Sequence, residues 1–366
     1  MSVECESVRG INLAQGVCDT GVPEIVREAA SEAIGRGINC YTRFDGLAEL
    51  RHAIAGKMLR HNGIQCDAET EITVSAGSTG ALYCACMALL DPGDEVILFE
   101  PYYGYHRDTL ESMNMTPSFV TMRPPDWSFS RCDLEHACTS RTRAIIVNTP
   151  CNPSGKVFNF QELEVIAGFA KLYDLFVIAD EIYEYFVYDG SHHVSLAILP
   201  GMAERTITIS GFSKTFSITG WRIGYCVSAQ RWAEAIGHMN DLLYVCAPAP
   251  LQYAVAKGIC ALPPSYYVEL ATSYARKRDK ICQALSAAGL TAHVPQGAYY
   301  VLADVNPLPG LTSKAKAMHL LERTGIAGVP GDAFFYEHGG DSLIRFCFAK
   351  EDSVLQEACD RLKRLD

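Results

Sequence analysis

The chain has 366 residues, 49% of them hydrophobic, enough for a large buried core and, at about 150 residues per domain, for two domains. A formal net charge of −11 argues against a broad basic face and so against nucleic acid as a partner. No apolar run reaches the roughly 18 residues of a membrane span, and the acidic start MSVECESVRG has no apolar secretion segment.

In chain order, the first 20 or so residues are too few for a domain and are expected to join a second unit or to bridge two. EITVSAG (71–77), EVILFE (95–100), RAIIVNTP (143–150), LFVIADE (175–181) and RTITIS (205–210) read as strands. Those rich in Val and Ile have the look of strands buried on both faces. Helical patterns over 78–90, ending at the DPGDE turn, and over 160–173 lie between them. This rhythm predicts an α/β fold with a mostly parallel, doubly wound sheet. After about residue 260 a charged helix (266–289), the strand YYVLADV, a helix over 313–324, the strand LIRFCFA and a closing helix from Glu351 predict a smaller α+β domain. The division is 26–259 for the large domain, and 1–25 with 260–366 for the small one.

The 15 cysteines show no CxxC spacing and no pairing with histidine. They read as small core hydrophobes of a reducing, cytoplasmic setting, with no metal expected. Cys84 and Cys86 fall in an apolar run that resembles a buried helix. His192 and His193, adjacent in a polar loop, read as surface.

Chemistry in such folds gathers beyond the carboxyl ends of strands, and four ends here are polar. EITVSAGSTGAL runs from strand through a Gly-Ser-Thr-Gly turn into a helix, where free N–H groups and hydroxyls make an anion site; an ordinary N-cap at Ser78 is the plainer alternative. IIVNTPCNPSG ends in a loop with Asn148 and Asn152, although Asn-Pro also marks common turns. FVIADEIYEYF ends in Asp180 and Glu181, with Tyr183 beyond. A buried carboxylate there needs a partner, unless it caps the next helix. Successive strand residues face opposite ways, so only one of the two acids can meet a ligand. GFSKTFSITGWRIGY sets Lys214 among small residues with Arg222 nearby; a poorly solvated lysine beside a cation is an amine nucleophile. A phosphate, a ring nitrogen and an aldehyde would satisfy the set together, and pyridoxal phosphate carries all three.

Seven segments, NLAQGVCD, YTRFDGLAELRHAI, EPYYGYH, NTPCNPSGKV, ADEIYEYFVYDG, SKTFSITGWRIGY and LIRFCFA, resemble in order and spacing the class I/II aminotransferases of the fold-type I pyridoxal-phosphate family, over nearly the whole chain. The similarity is greatest to the branch with kynurenine, glutamine-phenylpyruvate and methionine aminotransferases and some bacterial aspartate enzymes. The resemblance implies that Lys214 carries the cofactor covalently and moves the substrate proton. It implies Asp180 at the ring nitrogen, Tyr183 and Asn152 at the ring hydroxyl, Tyr103 stacked on the ring, and Ser78, Thr79, Ser213 and Arg222 around the phosphate. Arg345 would fork the substrate α-carboxylate, with the Gly16 backbone beside it. Tyr41 would reach the phosphate of a neighbouring subunit, which implies a homodimer with shared sites acting on an amino acid and a 2-oxo acid.

The chain departs from the family pattern at Cys151, where many relatives have histidine, at Gly211, where many have a phosphate-binding serine, and in GVCDTG. AGSTGAL holds no cation for a distal carboxylate, so uncharged amino acids (aromatic, methionine, glutamine, kynurenine) are expected over aspartate, with Arg43 the one candidate to reverse that. An aspartate aminotransferase, a cysteine-conjugate β-lyase and a ligand-sensing module are the competing readings.

Overall fold

The computed structural model describes residues 1–365. Its centre is a seven-stranded sheet in the order Ile72–Ala76, Ile223–Val227, Thr206–Gly211, Phe176–Asp180, Thr142–Asn148, Glu95–Glu100, Thr116–Thr121. Neighbouring strands run parallel except around Ile223–Val227, which runs against both its neighbours. The inner strands Glu95–Glu100 and Thr206–Gly211 are buried along their whole length, as expected where helices cover both faces. Helices Gly77–Leu89 and Phe160–Leu172 start and end within one residue of the expected bounds. Asn159 and Glu162 close a capping box at the start of the second. Cys84 and Cys86 are buried in the first.

Two strands of this sheet escaped the sequence reading. Thr116–Thr121 is a half-exposed edge that includes Pro117, so it lacks a continuous apolar run. Ile223–Val227 is fully buried but interrupted by Gly224, because a Cβ there would lie 2.4 Å from the Ser78 nitrogen.

The later chain forms a four-stranded antiparallel sheet, Val329–Pro330, Leu343–Cys347, Tyr300–Asp304, Thr291–His293. It packs with helices Pro264–Ala287, Ser313–Thr324 and Asp352–Leu362. The N-terminal segment serves both sheets. Ile11–Asn12 pairs in parallel with Ile326–Ala327, and the Leu13 carbonyl accepts from the Cys347 nitrogen at 2.7 Å. Three residues on, the chain reaches the carboxyl edge of the large sheet, where the Gly16 carbonyl accepts from Lys214. Among the described residues no helix is long and apolar enough to cross a membrane.

Candidate active site

A cavity of about 590 Å³ opens where these parts meet. It is lined by Gly16, Ser78, Thr79, Tyr103, Asn152, Asp180, Tyr183, Ser213, Lys214, Arg222 and Arg345 among others. Every residue to which the family resemblance gives a role is therefore gathered here except Tyr41, which is 82% exposed and stands apart from the cavity.

Lys214 follows the buried strand Thr206–Gly211. Its Nζ donates to the Gly16 carbonyl at 3.2 Å and lies under 6 Å from the ring centres of Tyr183 and Tyr299. Burial pushes its ammonium pKa down, and the Arg222 charge acts in the same direction. More of the lysine is thus a neutral amine than for a solvated one.

The anion end is built by the helix Gly77–Leu89. No side chain caps its start, so its first N–H groups remain available. Gly77 has φ +75°, and a Cβ on it would come within 2.2 Å of the Arg222 guanidinium. Glycine thus lets the arginine lie against the helix start, where its Nη1 donates to the Thr219 carbonyl at 2.8 Å. Gly211 sits 3.0 Å, measured from a built Cβ, from the Gly224 Cα and the Ile223 oxygen. A serine there would press on that backbone, which would have to give by a few tenths of an ångström.

Asp180 ends its strand facing the cavity. Its Oδ2 lies 3.0 Å from Nε2 of the buried His106, a partner that the sequence reading missed. His106 falls one helical turn after Tyr103, whose ring meets it edge-on at 5.3 Å, and that spacing was the available signal. Asn148, which also lines the cavity, donates to the Asp180 carbonyl at 3.0 Å and accepts from the Asn152 nitrogen at 2.8 Å, and so shapes the loop. Cys151 is buried, points its thiol at the Pro101 carbonyl and does not line the main cavity. Burial raises its pKa.

Glu181 faces the opposite way, as strand alternation requires. It is wholly buried and accepts from Ser195 Oγ at 2.6 Å and Asn62 Nδ2 at 3.2 Å, with His193 Nε2 at 2.9 Å. This corrects the reading of His193 as surface: its side chain is 4% exposed, because the loop 191–195 folds back over the acid. Beside it Glu184 pairs with Lys57 and accepts from Ser210 Oγ at 2.7 Å. Glu181, Glu184 and His193 have the donor atoms of a small metal site, but the Lys57 ammonium already sits on Glu184. Burial alone would raise Glu184; Lys57, His61 and His193 overrule it and bring it down to about 2.

Arg345, on the inner strand Leu343–Cys347, is buried and donates through Nη1 to Asn152 Oδ1 at 2.8 Å and through Nη2 to the Ala14 carbonyl at 2.7 Å. Among the described residues its Nε has no partner. A buried guanidinium with an unspent N–H is poised for an anion. Arg43 is committed elsewhere, to Asp45 and to Glu69 at 3.1 Å.

A lysine of lowered pKa, a carboxylate at a strand end and an uncapped helix start beside an arginine, on a doubly wound sheet, define the site of a pyridoxal-phosphate enzyme. The residues fit that cofactor. The uncapped helix start would suit a phosphate, and the Asp180 carboxylate would suit a protonated ring nitrogen. The sequence profile of "Aminotransferase class I and II" matches residues 8–362, and the chain belongs to that family, whose cofactor is pyridoxal phosphate. It is 33% identical to the methionine aminotransferase of Escherichia coli, over all of this chain and 94% of that protein. It is 35% identical to aromatic-amino-acid aminotransferase 2 of Thermococcus litoralis, over 97% of this chain and 91% of the other. The solved structure of N-succinyldiaminopimelate aminotransferase from Mycobacterium tuberculosis matches with a TM-score of 0.97 at 36% identity, covering all of this chain and 96% of that one. The chain is an amino-acid aminotransferase.

Proposed function

We propose that this aminotransferase prefers uncharged amino acids, aromatic ones, methionine, glutamine or kynurenine, over aspartate. The observation that carries this is the tally of cations. Among the described residues, Lys214, Arg222 and Arg345 are the only lysines and arginines lining the cavity, and each has a task. A distal carboxylate would leave water without a partner, at an uncompensated cost. Arg43, the one sequence candidate, is held by Asp45 and Glu69. Tyr103, Tyr105 and Tyr300 line the same space and offer apolar faces with polar tips.

When bound, pyridoxal phosphate supplies a carbonyl that receives the amino group and a ring that draws off the electrons left at Cα. In our reading Lys214 holds the cofactor through Nζ and, once released, takes the Cα proton as general base and returns one as acid. Its lowered pKa supplies the neutral amine that this needs. Asp180, braced by His106, holds the proton on the ring nitrogen. Tyr183 and the amide of Asn152 serve the ring hydroxyl, and Tyr103 lies against the ring face. Ser78, Thr79, Ser213 and Arg222 hold the phosphate. Arg345 orients the substrate carboxylate, with Gly16 beside it. We take 26–259 as the cofactor-carrying domain and 1–25 with 260–366 as the smaller one, which supplies Gly16 and Arg345. The exposure of Tyr41 supports a homodimer in which it serves the partner's phosphate, and the free thiols support a cytoplasmic setting.

The test is kcat/KM for aspartate, phenylalanine, methionine and kynurenine with one common 2-oxo acid. An aspartate advantage of tenfold, about 1.4 kcal/mol, overturns the preference. Release of pyruvate and ammonia from a cysteine conjugate, without conversion of the cofactor to its amino form, would favour β-elimination instead.

A further inference from the structure

Tyr300 lies where three site residues meet. Its hydroxyl is 3.1 Å from that of Tyr183. The Arg345 guanidinium carbon sits 4.3 Å from its ring centre, with Phe334 at 4.9 Å from the same cation. A methyl group built on Gly16 would fall 1.9 Å from its oxygen. It is buried and lines the cavity, fixed at the head of the strand Tyr300–Asp304.

Donors and acceptors can be counted here. Tyr183 and Tyr300 each bring one O–H, and their hydroxyls bond each other, while the neighbouring Tyr299 O–H is spent on the Gly16 carbonyl. One mutual bond uses one hydrogen and leaves one for the cavity. If Tyr183 serves the ring oxygen of the cofactor, only one orientation works. A Tyr183 that had given its hydrogen to Tyr300 would meet that oxygen with lone pairs alone. A Tyr183 that accepts from Tyr300 keeps its hydrogen and becomes the stronger donor, since linked hydrogen bonds polarise one another. Neither phenol supplies a charge instead, because burial raises both.

The ring does separate work. Arg345 is spoken for at Nη1 and Nη2 and flanked by Tyr300 and Phe334. These two ring contacts therefore restrict the plane in which its remaining N–H groups meet a carboxylate.

We propose that Tyr300 is a positioning residue with two functions: its hydroxyl donates to Tyr183 and aims the Tyr183 hydrogen at the cofactor's ring oxygen, and its ring fixes the plane of Arg345 for the substrate carboxylate. This rests on the roles proposed above for Tyr183 and Arg345.

The test compares Tyr300→Phe, Tyr300→Met and Tyr183→Phe as cofactor-loaded enzymes. The readouts are the pH midpoint of the bound cofactor's absorbance change and the separate kcat and KM for the amino donor. Tyr300→Phe, which keeps the ring, should raise the midpoint by about one pH unit and leave KM within about twofold. Tyr300→Met should raise the midpoint equally and increase KM about tenfold. Tyr183→Phe must also raise the midpoint. If it does not, the role of Tyr183 fails. If it does while Tyr300→Phe leaves the midpoint unchanged or lowers it, the hydroxyl function is wrong. A KM in Tyr300→Met equal to that of Tyr300→Phe overturns the ring function.

Discussion

Replacing Gly16 by alanine tests how closely the N-terminal segment is fitted to the site. The new methyl carbon would lie 1.9 Å from the Tyr300 oxygen and 2.9 Å from Cζ, where ordinary contact begins at 3.4 Å. One side must retreat by about 1.5 Å. Tyr300 is held by Tyr183 and by Arg345, so the segment moves. With it go the Gly16 carbonyl, which takes Lys214 Nζ at 3.2 Å and Tyr299 OH at 3.0 Å, and the Ala14 carbonyl, which takes Arg345. These are neutral or charge-assisted bonds worth about 1–2 kcal/mol each. A misplacement near 1 Å costs on the order of 100-fold in rate. We expect kcat/KM to fall about 30- to 100-fold, with the larger share in KM because Arg345 loses its anchor, and stability to fall by about 1–3 kcal/mol. The assay is steady-state transamination with one donor and one 2-oxo acid, beside a melting curve and the absorbance of bound cofactor. If kcat/KM stays within threefold of the parent while cofactor loading is unchanged, the close fit of Gly16 to Tyr300 has no functional weight.

Borohydride reduction of the loaded enzyme followed by peptide mapping should place the pyridoxyl group on Lys214, and Lys214→Ala should keep cofactor through the phosphate contacts yet lose turnover; a label on another lysine refutes the assignment. Asp180→Ala should slow transamination by orders of magnitude while the cofactor still links to Lys214, and near-normal turnover would refute its role at the ring nitrogen. Glu184→Gln leaves Lys57 buried without its partner and should cost about 3–5 kcal/mol at neutral pH. Because the folded pKa of Glu184 lies near 2, below its ordinary 4.5, the parent has this stability above about pH 4.5 and loses it as pH falls toward 2. The variant's melting temperature should change less over that window, and parallel curves would refute the linkage. Mixed dimers of Tyr41→Phe with Lys214→Ala chains should combine both defects in one site if Tyr41 acts across the interface; if mixing leaves the sites independent, Tyr41 serves its own chain.

What the sequence reveals about such a site depends on whether a residue's partner is local. Lys214, Asp180 and the Ser78–Thr79 turn stand at ends of apolar runs, so their position beyond the sheet follows from periodicity alone. The helix Ser313–Thr324 is equally local and its expected bounds hold. His106 is different. Within YYGYHRD only the one-turn spacing from Tyr103 hints that it turns inward, since its partner Asp180 lies 74 residues on, with the strands Thr116–Thr121 and Thr142–Asn148 between them in the chain. His193 fails for the same reason in reverse: polar neighbours suggest a solvated loop, yet the loop closes over Glu181, an acid that strand alternation turns away from the cavity. That alternation was legible; what neutralises the acid behind the sheet was not. Arg43 makes the final case. It stands beside Tyr41 in sequence, which suggests a cation delivered with it, whereas Asp45 and Glu69 bind it first. Even a half-exposed cation such as Arg43 goes to the partners that the fold brings nearest, so the sequence can nominate cations for a pocket but only the packing can say which line it. Among the described residues the cavity is lined by three, Lys214, Arg222 and Arg345; on the roles we propose, the cofactor and the α-carboxylate take all of them, and the side-chain end of the pocket is left to tyrosines.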